Sequence, residues 1–408
     1  MKYPRMNRRH ALGLLGSGAA MSLLPGIALA HAPTEQRFVF FILRGAMDGL
    51  AALMPLGDPD LLKQRADLVQ ADAAVALDGF FALHAELAPL KAYYETGDLL
   101  PIHAVASSHR GRSHFEAQDV LEAGLSKPNS SSTGWLNRLL AEYEGASSAR
   151  GAAEHKNRAR LGLAIGPTIP LALRGPQAVG SVLPDGLPAI PDAFTDRIAT
   201  LWGGDPQLAP ALQAAMAMED RPGMLPNGQQ RANGGTMAVI ELARIAAAQL
   251  AKPDGPRIAA IELNGFDTHS GQTGRLNQQF KALAGALVAL REGLAPVWRQ
   301  SAVLAVSEFG RTVAPNGSNG TDHGTGGAAF LLGGAVRGGR VLADWPGLKQ
   351  GKLFEGRDLQ PSINMAALYK AVAAQHLGID ARAALARIFP DDVGLAAADL
   401  FRGAMPKA

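Results

Sequence analysis

The stretch GTDHGTGG, residues 320–327, sets Asp322 beside His323 in a run of glycines. Both side chains are able to ligate a metal ion, and glycine lets backbone approach a ligand closely. Asp-His pairs are also ordinary turn residues. Three further polar clusters make the same offer: Asp48 in LRGAMDGL, Asp267 and His269 in NGFDTHSGQ, and Glu308 in SEFGRT. A lone Asp after a strand is ordinarily a cap or turn former, so the combination carries more weight than any member. The chain has no cysteine, which leaves Asp, Glu and His to hold any ion. Carboxylates with imidazoles are the donors of Zn²⁺, Mn²⁺ or Mg²⁺ hydrolytic centres. One ion polarises an ester, and two about 4 Å apart clamp both oxygens of an in-line displacement at phosphorus or sulfur.

SSHRGRSHFEAQD, residues 107–119, adds a nucleophile. Ser113 and Glu116 form the S-x-x-E of a capping box, which starts a helix at Ser113. A hydroxyl there sits in the positive field of the helix terminus, where an anionic ester also binds. His114 is adjacent, and Arg110 and Arg112 are available as phosphate or oxyanion partners. Capping alone would account for Ser113 but not for its neighbours, so Ser113, His114 and Arg112 are candidate catalytic residues.

These residues need elements to bring them together. Residues 38–43, FVFFIL, form an apolar run that reads as a strand buried on both faces, as in a parallel sheet. Further strands are expected at 99–106, 161–165, 257–263, 302–307 and 328–332. Helices are expected at 83–96, 113–123, 236–252, 275–299 and 363–377. In the long one, Leu276, Phe280, Leu283, Leu287 and Leu290 recur at helical spacing. Strand and helix alternate, which predicts a doubly wound α/β sheet with its ligand crevice beyond the carboxyl ends of the strands. The polar clusters all fall at that edge. Residues 167–235, rich in Pro and Gly, read either as an inserted cap or as a surface excursion.

The first thirty residues form a separate unit. Arg8-Arg9 precedes a mild apolar run that ends in Ala28-Leu29-Ala30, a small-x-small cleavage pattern. The pair resembles a twin-arginine export signal, which moves folded proteins to the periplasm or outside the cell. The run is too short and glycine-rich to span a bilayer comfortably, so no stable membrane span is expected after processing. Removal of residues 1–30 takes the formal charge from +3 to −1. The basic balance therefore belongs to the signal, and nucleic-acid binding is not expected.

The signal, LRGAMDGL, RSHFEAQDVLEAG, GWLNR, FDTHSGQ, SEFGRT, GTDHGTGG and GGAVRGG occur in that order. Together they resemble the bacterial domain-of-unknown-function family 1501, whose members are typically exported by the twin-arginine machinery. That family is similar to a remote branch of the alkaline phosphatase and sulfatase superfamily. The resemblance implies a three-layer α/β/α sandwich with a mostly parallel sheet over residues 31–408, and a hydrolytic site of one or two divalent metals. It places Asp48 on a second metal, Ser113 as nucleophile, and Asp267 and His269 on the first metal at a spacing shorter than usual. Two alignments of the last cluster stay open. In one, Asp322-His323 completes the second metal site with Asp48, and only His376 remains as a third histidine. In the other, Glu308 takes the strand-end position and His323 becomes the third ligand of the first metal. The implied function is an exported metal-dependent hydrolase of phosphate or sulfate esters, small or polymeric. The alternative is an exported pseudoenzyme of the same fold that binds or presents something at the cell surface.

Overall fold

The computed structural model describes residues 34–148, 161–166, 168–182, 236–392 and 394–403. The expected signal at 1–30 and most of the expected cap therefore lie outside the described residues. The main sheet has eight strands among the described residues. They are β1 (Arg37–Leu43), β2 (Leu99–Ala106), β3 (Gly162–Ile165), β4 (Gly180–Val182), β5 (Ile258–Leu263), β6 (Ser301–Ser307), β7 (Gly327–Leu332) and β8 (Ile363–Asn364). Their spatial order is β8-β2-β7-β6-β1-β5-β3-β4. Every pairing is parallel except those of β7, which runs antiparallel to β2 and β6.

The helices that bear on the site and its core are α1 (Gly49–Ala52), α2 (His114–Ala123), α3 (Trp135–Ser148), α4 (Thr236–Leu250), α5 (Gln272–Gly293), α6 (Met365–Ala371) and α7 (Arg382–Ile388), α1 being a single turn. Side chains of β1 alternate between two cores, as a strand period of two requires. Val39, Phe41 and Leu43 pack with Leu276, Phe280, Leu283 and Leu287 of α5. Phe38, Phe40 and Ile42 pack on the other face with Trp135, Leu368 and Tyr369. The Trp135 and Tyr369 rings stack with centroids 4.7 Å apart. Helices on both faces of a mostly parallel sheet make the three-layer α/β/α sandwich.

Four expectations need correction. The helix expected at 363–377 is α-helical only over Met365–Ala371, preceded by the two-residue strand Ile363–Asn364 and continued by a π-helical turn, Val372–His376. Residues 83–96 are not one helix. Ala82–Leu83 joins a small three-stranded sheet, Ala85–Leu90 is a 3₁₀ turn, and only Lys91–Glu95 is α-helical. Pro89 cannot donate to an α-helical ladder, and His84 Nδ1 starts a new turn by accepting from the Glu86 amide. The helix expected to 299 ends at Gly293, just ahead of Pro296, and continues as a 3₁₀ segment, Ala295–Gln300. Gly180–Val182, inside the expected cap, is the edge strand of the main sheet.

Candidate metal centre

The antiparallel course of β7 gathers the site. Parallel strands β1, β2, β5 and β6 deliver their C-terminal ends to one edge, and β7 begins at that edge. His114 therefore arrives after β2, Asp267 and His269 after β5, Glu308 after β6, and Asp322-His323 just before β7. The glycines of GTDHGTGG serve close backbone approach. A Cβ on Gly320 would lie 2.3 Å from the His269 carbonyl carbon, and one on Gly324 would lie 2.3 Å from that of Arg311. Any larger residue would push the His323 loop away from its neighbours.

Three imidazoles meet Asp267. His323 Nε2 lies 3.0 Å from His114 Nε2 and 3.0 Å from His269 Nε2. Asp267 Oδ1 lies 3.0 Å from His269 Nε2 and 3.2 Å from His323 Nε2, and its Oδ2 is 3.3 Å from His114 Nε2. The far nitrogen of each ring faces an atom that can only accept. His114 Nδ1 is 2.7 Å from Glu308 Oε1, His269 Nδ1 is 3.1 Å from Asp322 Oδ1, and His323 Nδ1 is 2.8 Å from the Arg112 carbonyl oxygen. Each neutral ring thus carries its proton on Nδ1 and presents a lone pair at Nε2. Three lone pairs and a carboxylate converge with no donor among them. One proton would relieve one pair of these atoms, whereas one cation can be shared by the His114, Asp267 and His323 atoms together. Ligands at the 2.0–2.1 Å of zinc-to-nitrogen bonds stand about 3.3 Å apart on a tetrahedron, close to the separations among His114, Asp267 and His323, whose ligand atoms all lie within 4.8 Å of one another; His269 Nε2 lies 3.0 Å from two of these residues. His114, Asp267 and His323 form a group that could hold a metal ion.

The surroundings hold this arrangement rigid. Glu308 is 1% exposed, and its Oε1 also accepts from the Gly45 amide at 2.9 Å and the Gln118 amide at 3.1 Å. Burial pushes its carboxyl up, but the His114 ring and the amides outweigh this and hold it below the usual range. The bond to Glu308 raises the His114 pKa, while burial lowers that of His323. Burial also pushes Asp267 up, but the Arg311 guanidinium, 2.6 Å from Oδ1, brings it down. Phe309 packs beneath the His114 and His323 rings, at centroid distances of 5.0 and 5.2 Å. Above, the face is open: the side chains of His269 and Asp267 are 45% and 41% exposed, which leaves room for an additional ligand.

Asp48 stands apart from this cluster. It is 1% exposed and ion-paired to Arg65, itself 1% exposed. Its Oδ1 also caps α1 through the Ala51 amide, and its Oδ2 accepts from Gln272 Nε2 at 2.6 Å. Burial raises its pKa, but Arg65 pulls it below the normal range. Both oxygens are committed to protein donors, so the expected second metal has no carboxylate here. Glu308 and Asp322 likewise face Nδ1 atoms rather than the converging Nε2 atoms, and they orient the rings. His114, expected as a catalytic residue, belongs with the ligands. The Arg112 guanidinium is taken by Asp358 at 2.7 Å and Glu355 at 2.5 Å, which removes it as an anion partner. Arg110 donates to backbone carbonyls. His376 is buried far along the chain, facing the Arg37 carbonyl oxygen at 2.8 Å.

Ser113 is exposed at the N-cap of α2, beside His114, but its hydroxyl makes no capping hydrogen bond. Four polar residues that sequence reasoning missed lie behind Asp267. Arg311 Nε donates to Thr321 Oγ1 at 3.0 Å, Thr321 and Thr268 donate to Gln272 Oε1 at 2.6 and 2.9 Å, and Gln272 reaches Asp48. All four stand inside the quoted motifs, Arg311 in SEFGRT, Thr268 and Gln272 in FDTHSGQ and Thr321 in GTDHGTGG, but their residue types point to no ligand or catalytic role.

No curated protein matches the chain. Solved structures similar to it include Ps i-CgsB in complex with k-i-k-neocarrahexaose, at TM-score 0.36 and 10% identity over 73% of this chain and 66% of that one. The chain thus spans just under two thirds of that protein's length. The C-terminal periplasmic domain of EcEptC from Escherichia coli, in complex with Zn, matches at TM-score 0.34 and 10% identity over 91% of each chain. A protein in the alkaline phosphatase superfamily from Vibrio parahaemolyticus matches at TM-score 0.32 and 11% identity over 83% and 71%. These likenesses are loose, and the chemistry of the site rests on its own atoms. The family described as "Protein of unknown function (DUF1501)" matches residues 107–389, well over half of the 408 residues, and the chain belongs to that family.

Proposed function

We propose that this protein is a metal-dependent hydrolase of an anionic ester, phosphate or sulfate, built around one divalent transition metal. The observation that carries the reading is the set of three histidine Nε2 atoms aimed at Asp267, each with its Nδ1 occupied by an acceptor. His114, His269, His323 and Asp267 would hold the ion, and three imidazoles favour Zn²⁺ or Mn²⁺ over Mg²⁺. When bound, such an ion supplies Lewis acidity, polarising an ester oxygen and making water or a hydroxyl more acidic. Glu308, Asp322 and the Arg112 carbonyl fix the ring tautomers, a task that raises ligand basicity. Arg311 keeps Asp267 ionised. Ser113, exposed beside His114 with its hydroxyl unspent on capping, is the candidate nucleophile. Phosphate and sulfate monoesters incubated with zinc-loaded protein test the reading. Turnover is expected in the wild type and absent in Ser113→Ala with metal still bound; no turnover of any ester would defeat the hydrolase assignment.

The engagement of Arg112 and Arg110 favours a second reading. With no free guanidinium beside the cluster among the described residues, the centre would bind or present rather than hydrolyse. Zinc binding without turnover is its signature. We also propose that residues 1–30 direct twin-arginine export. Replacement of Arg8 and Arg9 by lysine should retain the protein in the cytoplasm, and continued export by that route would refute the assignment.

A further inference from the structure

Asp358 lies outside every cluster that the sequence singles out, in EGRDLQ. Its side chain is fully buried and ties two distant segments, at Arg112 and Thr325, to its own neighbour Arg357. Oδ2 accepts from Arg112 Nε at 3.0 Å, Arg112 Nη2 at 2.7 Å and Thr325 Oγ1 at 2.7 Å. Oδ1 accepts from Arg357 Nε at 2.8 Å. A buried carboxylate needs this many donors to remain charged. What matters is where these three partners lead.

Each leads to His323. The Arg112 carbonyl receives the Nδ1 proton of His323 and so fixes both tautomer and ring plane. Arg357 Nη2 donates to the His323 carbonyl oxygen. Thr325 is two residues beyond His323 on the loop into β7. His323 is also the ring that touches both others, with its Nε2 3.0 Å from His114 Nε2 and 3.0 Å from His269 Nε2. The hydrogen bonds of the Asp358 side chain go to Arg112, Thr325 and Arg357 rather than to the rings. Its effect on them passes through the backbone of residue 112 and the loop of residues 323–325.

We propose that Asp358 is the positioning residue of the metal centre, setting the orientation of His323 through Arg112, Arg357 and Thr325. The proposal rests on the reading of His114, Asp267, His269 and His323 as metal ligands. Loss of an outer partner of a ligating histidine typically weakens metal affinity 10–100-fold, and Asp358 governs one such partner.

The test is zinc affinity of the full mature chain, measured by competition with a chromophoric chelator, with thermal unfolding of the metal-free protein alongside. Asp358→Asn is expected to weaken zinc by about 10–100-fold. In a His323→Ala background the same change should cause no further loss, because the ring it acts through is gone. A residue that merely supports the fold would lower the unfolding temperature and leave affinity unchanged, or would add its effect to that of His323→Ala; either outcome overturns the proposal. If Asp358→Asn does not fold, Arg357→Gln serves instead, because Arg357 is 45% exposed and removes one of the three grips. It should weaken zinc several-fold, and unchanged affinity would again overturn the proposal. A wild type that takes up no zinc would instead remove the underlying metal reading, a result distinct from a wild type that binds and variants that bind equally well.

Discussion

Asp48 and Asp267 begin alike and end differently. Each follows a strand of the central sheet, β1 and β5, and these strands are direct neighbours. Asp48 is 1% exposed and meets a guanidinium, an amide N–H and a glutamine amide. Asp267 is 41% exposed and meets three imidazole lone pairs with one guanidinium behind it. The first environment is all donors, so the carboxylate is spent on the fold. The second is mostly acceptors, so the carboxylate is left to share a cation. An acid at a strand end is therefore a ligand or a brace according to the sign of what surrounds it.

The comparison breaks most visibly at Asp48. Asp48→Ala leaves Arg65 as a buried, unpaired charge, and a cost of about 3–5 kcal/mol in unfolding free energy is expected. Zinc stoichiometry of the folded fraction should not change. A loss of metal without loss of stability would put Asp48 back among the ligands.

Buried histidines sharpen it next. His103 and His376 are buried, and burial pushes each pKa down to about 4. The fold keeps them neutral, whereas the unfolded chain takes up protons below about 6.5. Their contribution is thus complete above that pH and lost as pH falls toward 4, at up to ~3 kcal/mol each. Denaturant midpoints of the metal-free protein should fall over this window, and His376→Gln should flatten the fall. A midpoint independent of pH from 7 to 4.5 would contradict the neutral burial of these rings.

His269→Ala should do the reverse of Asp48→Ala. The ring is 45% exposed, so the metal-free protein should unfold near the wild-type temperature. Zinc affinity should drop by about a hundredfold or more, ~2.7 kcal/mol. Equal zinc affinity would dissolve the contrast between the two regions. The smallest effect on stability is expected for Ser113→Ala. Because the hydroxyl does not cap α2, the change should stay below the ~1 kcal/mol of a lost N-cap. A full capping penalty would return Ser113 to the helix.

Much of this was legible beforehand. The long apolar strands announced the sheet, since 38–43 and 302–307 have no polar face to confuse the period. The strand-end rule then collected Asp267, His269, Glu308 and His323 at one edge. Roles within that edge were harder. Whether a carboxylate ligates or braces depends on partners distant in sequence: Arg65 for Asp48, and the Nδ1 atoms of His114 and His269 for Glu308 and Asp322. In sequence His114 reads as a catalytic group because it adjoins Ser113, and only the fold turns its Nε2 toward His323. The two-residue strand Ile363–Asn364 and the edge strand Gly180–Val182 are too short to leave a period.

Zinc titration of the metal-free protein, followed by native mass spectrometry, tests the central claim most directly. One zinc per chain is expected in the wild type, one in Asp48→Asn, and none retained in the His269→Ala, His323→Ala double variant. A wild type that binds no zinc, or that binds two with the second lost in Asp48→Asn, would contradict the account.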